Sequence, residues 1–392
     1  MQSLPGDFLP KLFASPILIV DDNEFNRVFL EKILLTRGFS NLLSVESGEK
    51  ALEMLPKFKP DLVILDIIMP DMDGFECCEK IRKQSKYHEL PVLIQTAIVD
   101  PNLRVKAFAM GATDLLSKPI YPEELCARVM VHLEKRHSLQ TLQLYKNRIE
   151  QELESARQLQ LAILPTPEEI DDIKRRCRLD IASYFQPSSE VGGDFWGVKN
   201  IFPHQTALWL VDFSGNGVAA ALNAFRLQAY LKEHSTLTAR PGEYLSHLND
   251  KLLHLLLRSQ FATMFYGIID TQTNQLFYAC ACAPHPIILR KSTGKAEMLD
   301  GTGNPLGIGM HLYPTQSIPF APGDSLLLYS DALIETPDIA GNYISEDNII
   351  ALLGKHRDAS ASAIKDRLLH YFNQHTANAP RDDLTFTLCS RQ

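Results

Sequence analysis

Asp21, Asp22, Asp66, Thr96 and Lys118 are the first residues of the chain whose types and spacing combine into a chemistry. Asp21 and Asp22 close an apolar run at 17–20 and Asp66 closes one at 62–65, while Thr96 follows 92–94 and Lys118 follows 115–116. In a doubly wound sheet, residues at the carboxyl ends of such strands reach one crevice. Three carboxylates gathered there repel one another. A hard divalent cation such as magnesium removes that repulsion and prefers oxygen ligands. Thr96 and Lys118 add nothing to ion binding, but both suit a phosphoryl group on Asp66. Lys118 balances its charge and Thr96 donates a hydrogen bond to its oxygens. The chemistry predicted is acceptance of a phosphoryl group by a carboxylate.

A second set of acids is dispersed through the C-terminal half. Asp194 follows Gly192 and Gly193, which let the backbone turn tightly, and Asp212 lies 18 residues on, a hairpin's span, at the end of an apolar strand. Asp331 follows the strand at 325–329, and Asp382 and Asp383 precede the last strand at 384–389. Taken singly, an aspartate in a Gly-rich turn is a turn former. Four acidic positions at strand ends converging on one edge of a β-sandwich, with no His or Cys beside them, instead favour magnesium or manganese over zinc. Two such ions sharing carboxylates lower the pKa of a water between them and clamp a phosphoryl group for in-line attack.

These residues must be positioned by different kinds of element. Short apolar runs at 17–20, 42–45, 62–65, 92–94 and 115–116, alternating with amphipathic segments, predict a five-stranded parallel sheet covered on both faces, an α/β doubly wound domain over 15–135. Residues 1–14 read as an N-terminal arm. From 123 to 164 there is neither glycine nor proline, which predicts one long helix, and Leu142, Tyr145, Ile149, Ala156, Leu159 and Ile163 follow a heptad seam broken by Glu152. A seam flanked by charges needs a partner, so 136–165 reads as a helical, coiled-coil linker and the chain as a homodimer through it. Over 166–392, strands at 206–211, 263–270, 275–281, 285–290, 325–329 and 384–389, with helices at 219–234, 242–258 and 360–372, predict an α+β domain of stacked antiparallel sheets flanked by helices.

The bulk properties exclude several classes. At 392 residues with 45% hydrophobic and 22% charged residues, the chain reads as two to three folded domains. Its 39 basic residues against 47 acidic ones give a net charge of −8, which offers no support for binding nucleic acid, and no segment after Pro165 forms a compact helix-turn-helix unit. The apolar runs, such as 62–65 and 252–257, fall far short of a membrane span. The opening residues lack a secretory pattern, so the expectation is a cytoplasmic protein with reduced, mostly buried cysteines. The seven cysteines, with Cys77-Cys78 and Cys280-Ala281-Cys282 among them, form no metal or disulfide framework.

The first constellation resembles a response-regulator receiver domain. The resemblance rests on Ile17-Leu18-Ile19-Val20-Asp21-Asp22, Leu65-Asp66-Ile67-Ile68-Met69-Pro70-Asp71-Met72-Asp73-Gly74, Thr96-Ala97 and Lys118-Pro119, with spacings of 44, 30 and 22 residues between Asp22, Asp66, Thr96 and Lys118. It implies phosphorylation of Asp66 by a cognate histidine kinase, with the carbonyl of Ile68 completing the magnesium ligands. Leu115 stands where that family carries an aromatic switch residue.

The second constellation resembles the metal-dependent protein phosphatases (PPM) in their bacterial SpoIIE and RsbU branch. The pieces are Ala156-Arg157-Gln158-Leu159-Gln160, Leu164-Pro165, Gly192-Gly193-Asp194-Phe195-Trp196, Asp212-Phe213-Ser214-Gly215-Asn216-Gly217, Phe261-Ala262-Thr263, Asn304-Pro305-Leu306-Gly307, Ser330-Asp331 with Glu335, and Asp382-Asp383-Leu384-Thr385. By this likeness Asp212 bridges two manganese or magnesium ions and the carbonyl of Phe213 binds the second. Asp194, Asp331 and Asp382 supply the remaining carboxylates, with Asp383 the lesser candidate of its pair. Gly197 replaces an acid common in relatives, Asn216 a histidine and Ala332 a glycine. The function implied is a phosphorylation-regulated serine/threonine phosphatase acting on a protein such as an anti-sigma-factor antagonist. The competing expectation is a non-catalytic adaptor whose phosphatase-like domain binds a partner such as a sigma factor.

Overall fold

The computed structural model describes residues 8–97, 101–234, 240–257, 259–338, 340–376, 380 and 382–392. The chain divides into two compact units, Met1–Ile149 and Glu150–Gln392, and the division falls inside a helix, downstream of the boundary at 135 expected from sequence.

The first unit runs α1 (Phe8–Phe13), β1 (Ile17–Val20), α2 (Glu24–Thr36), β2 (Leu42–Val45), α3 (Gly48–Phe58), β3 (Leu62–Asp66), α4 (Gly74–Lys83), β4 (Val92–Thr96), α5 (Pro101–Ala109) and β5 (Asp114–Ser117), then enters α6 (Pro122–Ile163). Its five strands pair in parallel in the order β2-β1-β3-β4-β5. β1, β3 and β4 are buried along their whole length because helices cover both faces. One face packs on α3 and α4 through Leu55, Phe75, Cys78 and Ile81; the other packs on α2 and the start of α6 through Leu30, Leu34, Leu125 and Val129. Residues 1–7 of the expected arm lie outside the described residues, but the rest includes α1, whose Leu12 is fully buried and whose Phe13 ring meets Phe39 edge-on at 5.2 Å.

Asn23, Ser47 and Asp73 each cap a helix, their side chains accepting from the N–H groups of Phe25, Lys50 and Glu76. The long helix is present as expected. Along it Leu142, Tyr145, Ile149 and Leu159 are 65, 60, 54 and 63% exposed. Within the second unit, Ile163 and Leu164 pack against the apolar core.

The second unit continues with α7 (Pro167–Cys177), β6 (Leu179–Gln186), β7 (Phe195–Phe202), β8 (Gln205–Phe213), α8 (Gly217–His234), α9 (Pro241–Leu255), β9 (Ala262–Asp270), β10 (Gln275–Ala281), β11 (Ile287–Leu289), β12 (Ala296–Met298), β13 (Gln316–Pro319), β14 (Ser325–Tyr329), α10 (Ala332–Glu335), α11 (Glu346–Lys355), α12 (Ala361–His375) and β15 (Leu384–Arg391). Residue 258, at the end of one expected helix, lies outside the described residues. The strands form two antiparallel sheets, ordered β13-β10-β9-β8-β7 and β12-β11-β14-β15-β6. Trp196, Leu208, Leu210 and Phe265 of one sheet meet Ile181, Ile288, Leu326 and Cys389 of the other between the layers. Side chains alternate along each strand, so Phe195, Trp209 and Tyr266 point outward onto α8 and α9. The opposite outer face, with Leu327, Tyr329 and Leu388, is covered by α10, α11 and α12. The result is a β-sandwich with helices on both faces. All seven cysteines are free, and Cys282 alone is exposed.

Candidate functional site

At the carboxyl edge of the parallel sheet, Asp21, Asp22 and Asp66 offer oxygens that all lie within 4.8 Å of one another. Asp21 is fully buried and is held by the N–H of Asn23 at 2.9 Å and by the Nδ2 of Asn26 at 3.2 Å from both its oxygens. Lys118 Nζ donates to Asp66 Oδ2 at 2.7 Å and lies 3.5 Å from Asp21 Oδ2. Burial raises the pKa of Asp66 and the Asp21 carboxylate adds to the rise, while Lys118 opposes both. Thr96 is buried at the end of β4, and its carbonyl accepts from the N–H of Lys118 at 2.8 Å. The loop after Asp66 returns closely enough that a Cβ on Gly74 would stand 2.1 Å from the Asp66 carbonyl. Ile68 is 63% exposed on that loop. Leu115 is buried among the α4 and α5 side chains and offers no ring to rotate. Asn26, which orients Asp21, was not singled out from sequence, because an Asn in the first turn of a helix carries no signal of its own.

The acids of the second unit also come together. Asp212 ends β8, which pairs with β7 across a hairpin that starts just after Asp194; Asp331 follows β14 and Asp382 precedes β15, its antiparallel neighbour. Ser330 ties these two strand ends, its Oγ donating to the Asp383 carbonyl at 2.8 Å and accepting from the N–H of Thr385 at 2.9 Å. Asp194 is 1% exposed, and neither of its carboxylate oxygens has a hydrogen-bond partner. The hydroxyls of Thr385 and Ser330 are near enough to moderate its charge, but burial and the charges of Asp212 and Asp383 push its pKa far up. Burial followed by the charges of Asp331 and Asp382 raises Asp212 to about 7. Burial followed by Asp382 and Glu335 raises Asp331 to about 6, and Asp382 is raised as well.

Asp383 sits differently from its neighbour. Its Oδ1 accepts from the N–H and the hydroxyl of Ser188 at 2.7 and 3.0 Å, and its Oδ2 from the N–H groups of Gly193 and Asp194 at 2.6 and 3.3 Å. It therefore fixes the turn that presents Asp194. The two glycines are required there, since a Cβ on Gly192 would lie 2.0 Å from Asp383 Oδ2 and one on Gly193 would lie 2.9 Å from the carbonyl oxygen of Phe213. Gly197 has a comparable reason. It faces Trp209 across the β7–β8 pair, and a Cβ would lie 2.3 Å from the indole ring, so no acid fits. Asn216 is exposed between Gly215 and Gly217, both at positive φ, and Ala332 is buried at the start of α10.

A hard cation fits this donor set. Asp194 is a buried carboxylate without a partner, which is stable only when neutralised or paired with positive charge, and among the described residues no Lys or Arg pairs with it or with the half-buried Asp212, Asp331 and Asp382. Among the described residues, three ligand oxygens within 4.8 Å of one another occur only in the receiver-like triad.

Residues 17–130 match the response regulator receiver domain model, and residues 203–392 match the model described as Stage II sporulation protein E (SpoIIE). The chain is 36% identical over 121 residues to the transcriptional regulatory protein YvrH of Bacillus subtilis, covering 31% of this chain and 50% of that one. It is 39% identical over 119 residues to the probable transcriptional regulator ycf27 of Guillardia theta, covering 30% of this chain and 45% of that one. The chain thus spans about half the length of these curated relatives. Among solved structures, the SiaA-PP2C domain of Pseudomonas aeruginosa shares the fold, with a TM-score of 0.56 at 20% identity over 64% of this chain and 98% of that one. Two families accordingly meet in one chain: residues 17–130 are a response regulator receiver domain, and residues 203–392 belong to the SpoIIE family, within a unit that has the PP2C-like fold.

Proposed function

We propose that this protein is a metal-dependent serine/threonine protein phosphatase whose activity is set by phosphorylation of Asp66 in its receiver domain. The observation that supports this best is the convergence of Asp194, Asp212, Asp331 and Asp382: burial raises every one of their pKa values, and neighbouring carboxylates add to the rise, those of Asp383 and Glu335 in the case of Asp382. In this reading Asp194, Asp212, Asp331 and Asp382, with the carbonyl of Phe213, hold two manganese or magnesium ions, and Asp383 orients the backbone of Asp194. The ions supply the charge that activates water and binds the phosphoryl oxygens. The residues themselves hold the site open and charged, and Asp212, at about 7 without ions, gives up its proton when they bind.

In the receiver, Asp21, Asp22, Asp66 and the carbonyl of Ile68 hold magnesium while Asp66 accepts a phosphoryl group from a histidine kinase. Lys118, already on Asp66 Oδ2, pairs with the added charge, and the Thr96 hydroxyl donates to it. The substrate proposed is a phosphorylated anti-sigma-factor antagonist, and the protein is proposed to work in the cytoplasm as a homodimer through the exposed seam of α6. A phosphorylation that alters helix pairing then biases the C-terminal unit, provided both states pre-exist. No helix among the described residues is long and apolar enough to cross a membrane.

Manganese-dependent release of phosphate from a panel of phosphorylated antagonist proteins tests the reading, with Asp212→Ala as control. Turnover that disappears in the variant supports it. Binding of a partner without turnover, unchanged in the variant, would establish the adaptor role instead.

A further inference from the structure

The end of α6 holds a side chain that the phosphatase reading leaves without a role. Gln160 is fully buried, whereas its neighbours on the helix from 151 to 163 are exposed or half-buried. Its Nε2 donates to the carbonyl of Gly192 at 2.7 Å, and its Oε1 accepts from the N–H of the same residue at 3.1 Å. One planar amide thus meets both backbone groups of one residue, which fixes the position and the tilt of that peptide segment. On the other side the turn is held by Asp383, whose Oδ2 takes the N–H groups of Gly193 and Asp194. Asp194 itself has no hydrogen bond from its carboxylate, so its location is set by the backbone clamped between Gln160 and Asp383.

A second tie binds the same helix end. Gln228 of α8 donates to the carbonyl of Ile163 at 2.7 Å and accepts from Trp209 Nε1 at 3.2 Å. α8 begins at Gly217, just past the end of β8, the strand whose last two residues are Asp212 and Phe213. The last turn of α6 is therefore bonded to the turn that presents Asp194 and to the helix that follows Asp212.

From this geometry we infer that Gln160 is a positioning residue for Asp194, through which the placement of the α6 helix end sets the ion affinity of the C-terminal site. A helix shifted by one residue moves 1.5 Å along its axis and turns by about 100°. Neither bond to Gly192 survives such a shift, and the turn loses one of its two clamps. This inference rests on the reading of Asp194 as an ion ligand. The alternative role of Gln160 is to satisfy a buried peptide group and nothing more.

The test is manganese binding, measured by electron paramagnetic resonance of free Mn2+ in the full chain, with Asp22→Ala present throughout so that the receiver triad is not counted. Gln160→Met keeps the length and loses both bonds. Its Mn2+ affinity is expected to fall by about tenfold or more, the usual effect of removing a group that orients a metal ligand. Thr206→Val is the control. It removes the buried Thr206–Asn200 bond of 2.9 Å at the opposite end of β8 from Asp212, and its Mn2+ affinity is expected to match the parent.

If Gln160→Met does not fold, Gln160→Asn, one methylene too short to span both Gly192 groups, carries the same expectation. Equal affinity in the Gln160 variants overturns the inference, and so does an equal loss in Thr206→Val, which would mark a general effect of stability. A parent chain that binds no Mn2+ overturns the phosphatase reading beneath it, so the two failures are distinguishable.

Discussion

Replacing Asp212 by Asn should stabilise the chain when divalent ions are absent. In the folded unit Asp212 rises to about 7 from an ordinary value of 3.8, with burial as the largest cause. The folded state therefore keeps a proton that the unfolded state has released, and stability falls as pH rises from about 4 to about 7, then levels off. A displacement of that size corresponds to about 4 kcal/mol of strain above pH 7. Allowing half for relaxation of the loop and for a proton shared with Asp194, Asp212→Asn should gain about 2 kcal/mol, or roughly 4–8 °C in the unfolding temperature of a unit this size. Scanning calorimetry in EDTA at pH 8 reads this directly. At pH 5, where Asp212 is protonated in the folded state, the two proteins should unfold within about 3 °C of one another. Saturating manganese should then raise the wild type and leave the variant where it was. A variant that melts below the wild type in EDTA at pH 8, or a wild type whose stability is flat from pH 5 to 8, would show that these carboxylates are not strained together and would refute the reasoning.

Other outcomes follow from the same structure. Asp66→Asn should abolish phosphorylation by acetyl phosphate in magnesium, read as loss of a shifted band on a phosphate-affinity gel, and a band that persists would move the acceptor elsewhere. Gly197→Asp, which restores an acid common in relatives, should lower stability by about 2 kcal/mol or more by chemical denaturation, because Trp209 occupies the space a side chain needs; a neutral result would show that the indole can swing aside. Leu142→Glu with Ile149→Glu should leave the fold intact and convert a dimer to a monomer in sedimentation, since both side chains are exposed in the single chain; an unchanged mass would remove the seam from any dimer.

The two folds differ in how far their parts could be read. In the receiver β1 and most of β3 and β4 are continuous apolar runs, and Asp21, Asp22, Asp66, Thr96 and Lys118 stand at or just past strand carboxyl ends, so local pattern and site coincide. In the C-terminal unit β6 is not among the strands expected from sequence, and β7 enters only as the hairpin partner implied by the spacing of Asp194 and Asp212. β6 is mostly half-buried, with little alternation, and β7 begins inside a motif that reads as a turn. α7 was also missed, although Thr166 and Glu169 form a capping box that the chain spells out.

Sequence by itself determined which residue types were available for chemistry and at which strand ends they stand: acids without His or Cys, a lysine and a hydroxyl beside one set, and a long helix without Gly or Pro between them. Only tertiary structure decided which acids face one another. Asp382 and Asp383 are adjacent in the chain, yet Asp383 is bound to the turn at Gly193, 190 residues away, while Asp382 faces Asp331 and Asp212. Gln160 shows the same division, because nothing near it in the chain reveals that it meets Gly192. The physical reason is that a strand-end position follows from a local pattern of period two, whereas the partner of a buried polar group depends on which distant backbone the packed layers bring within 3 Å.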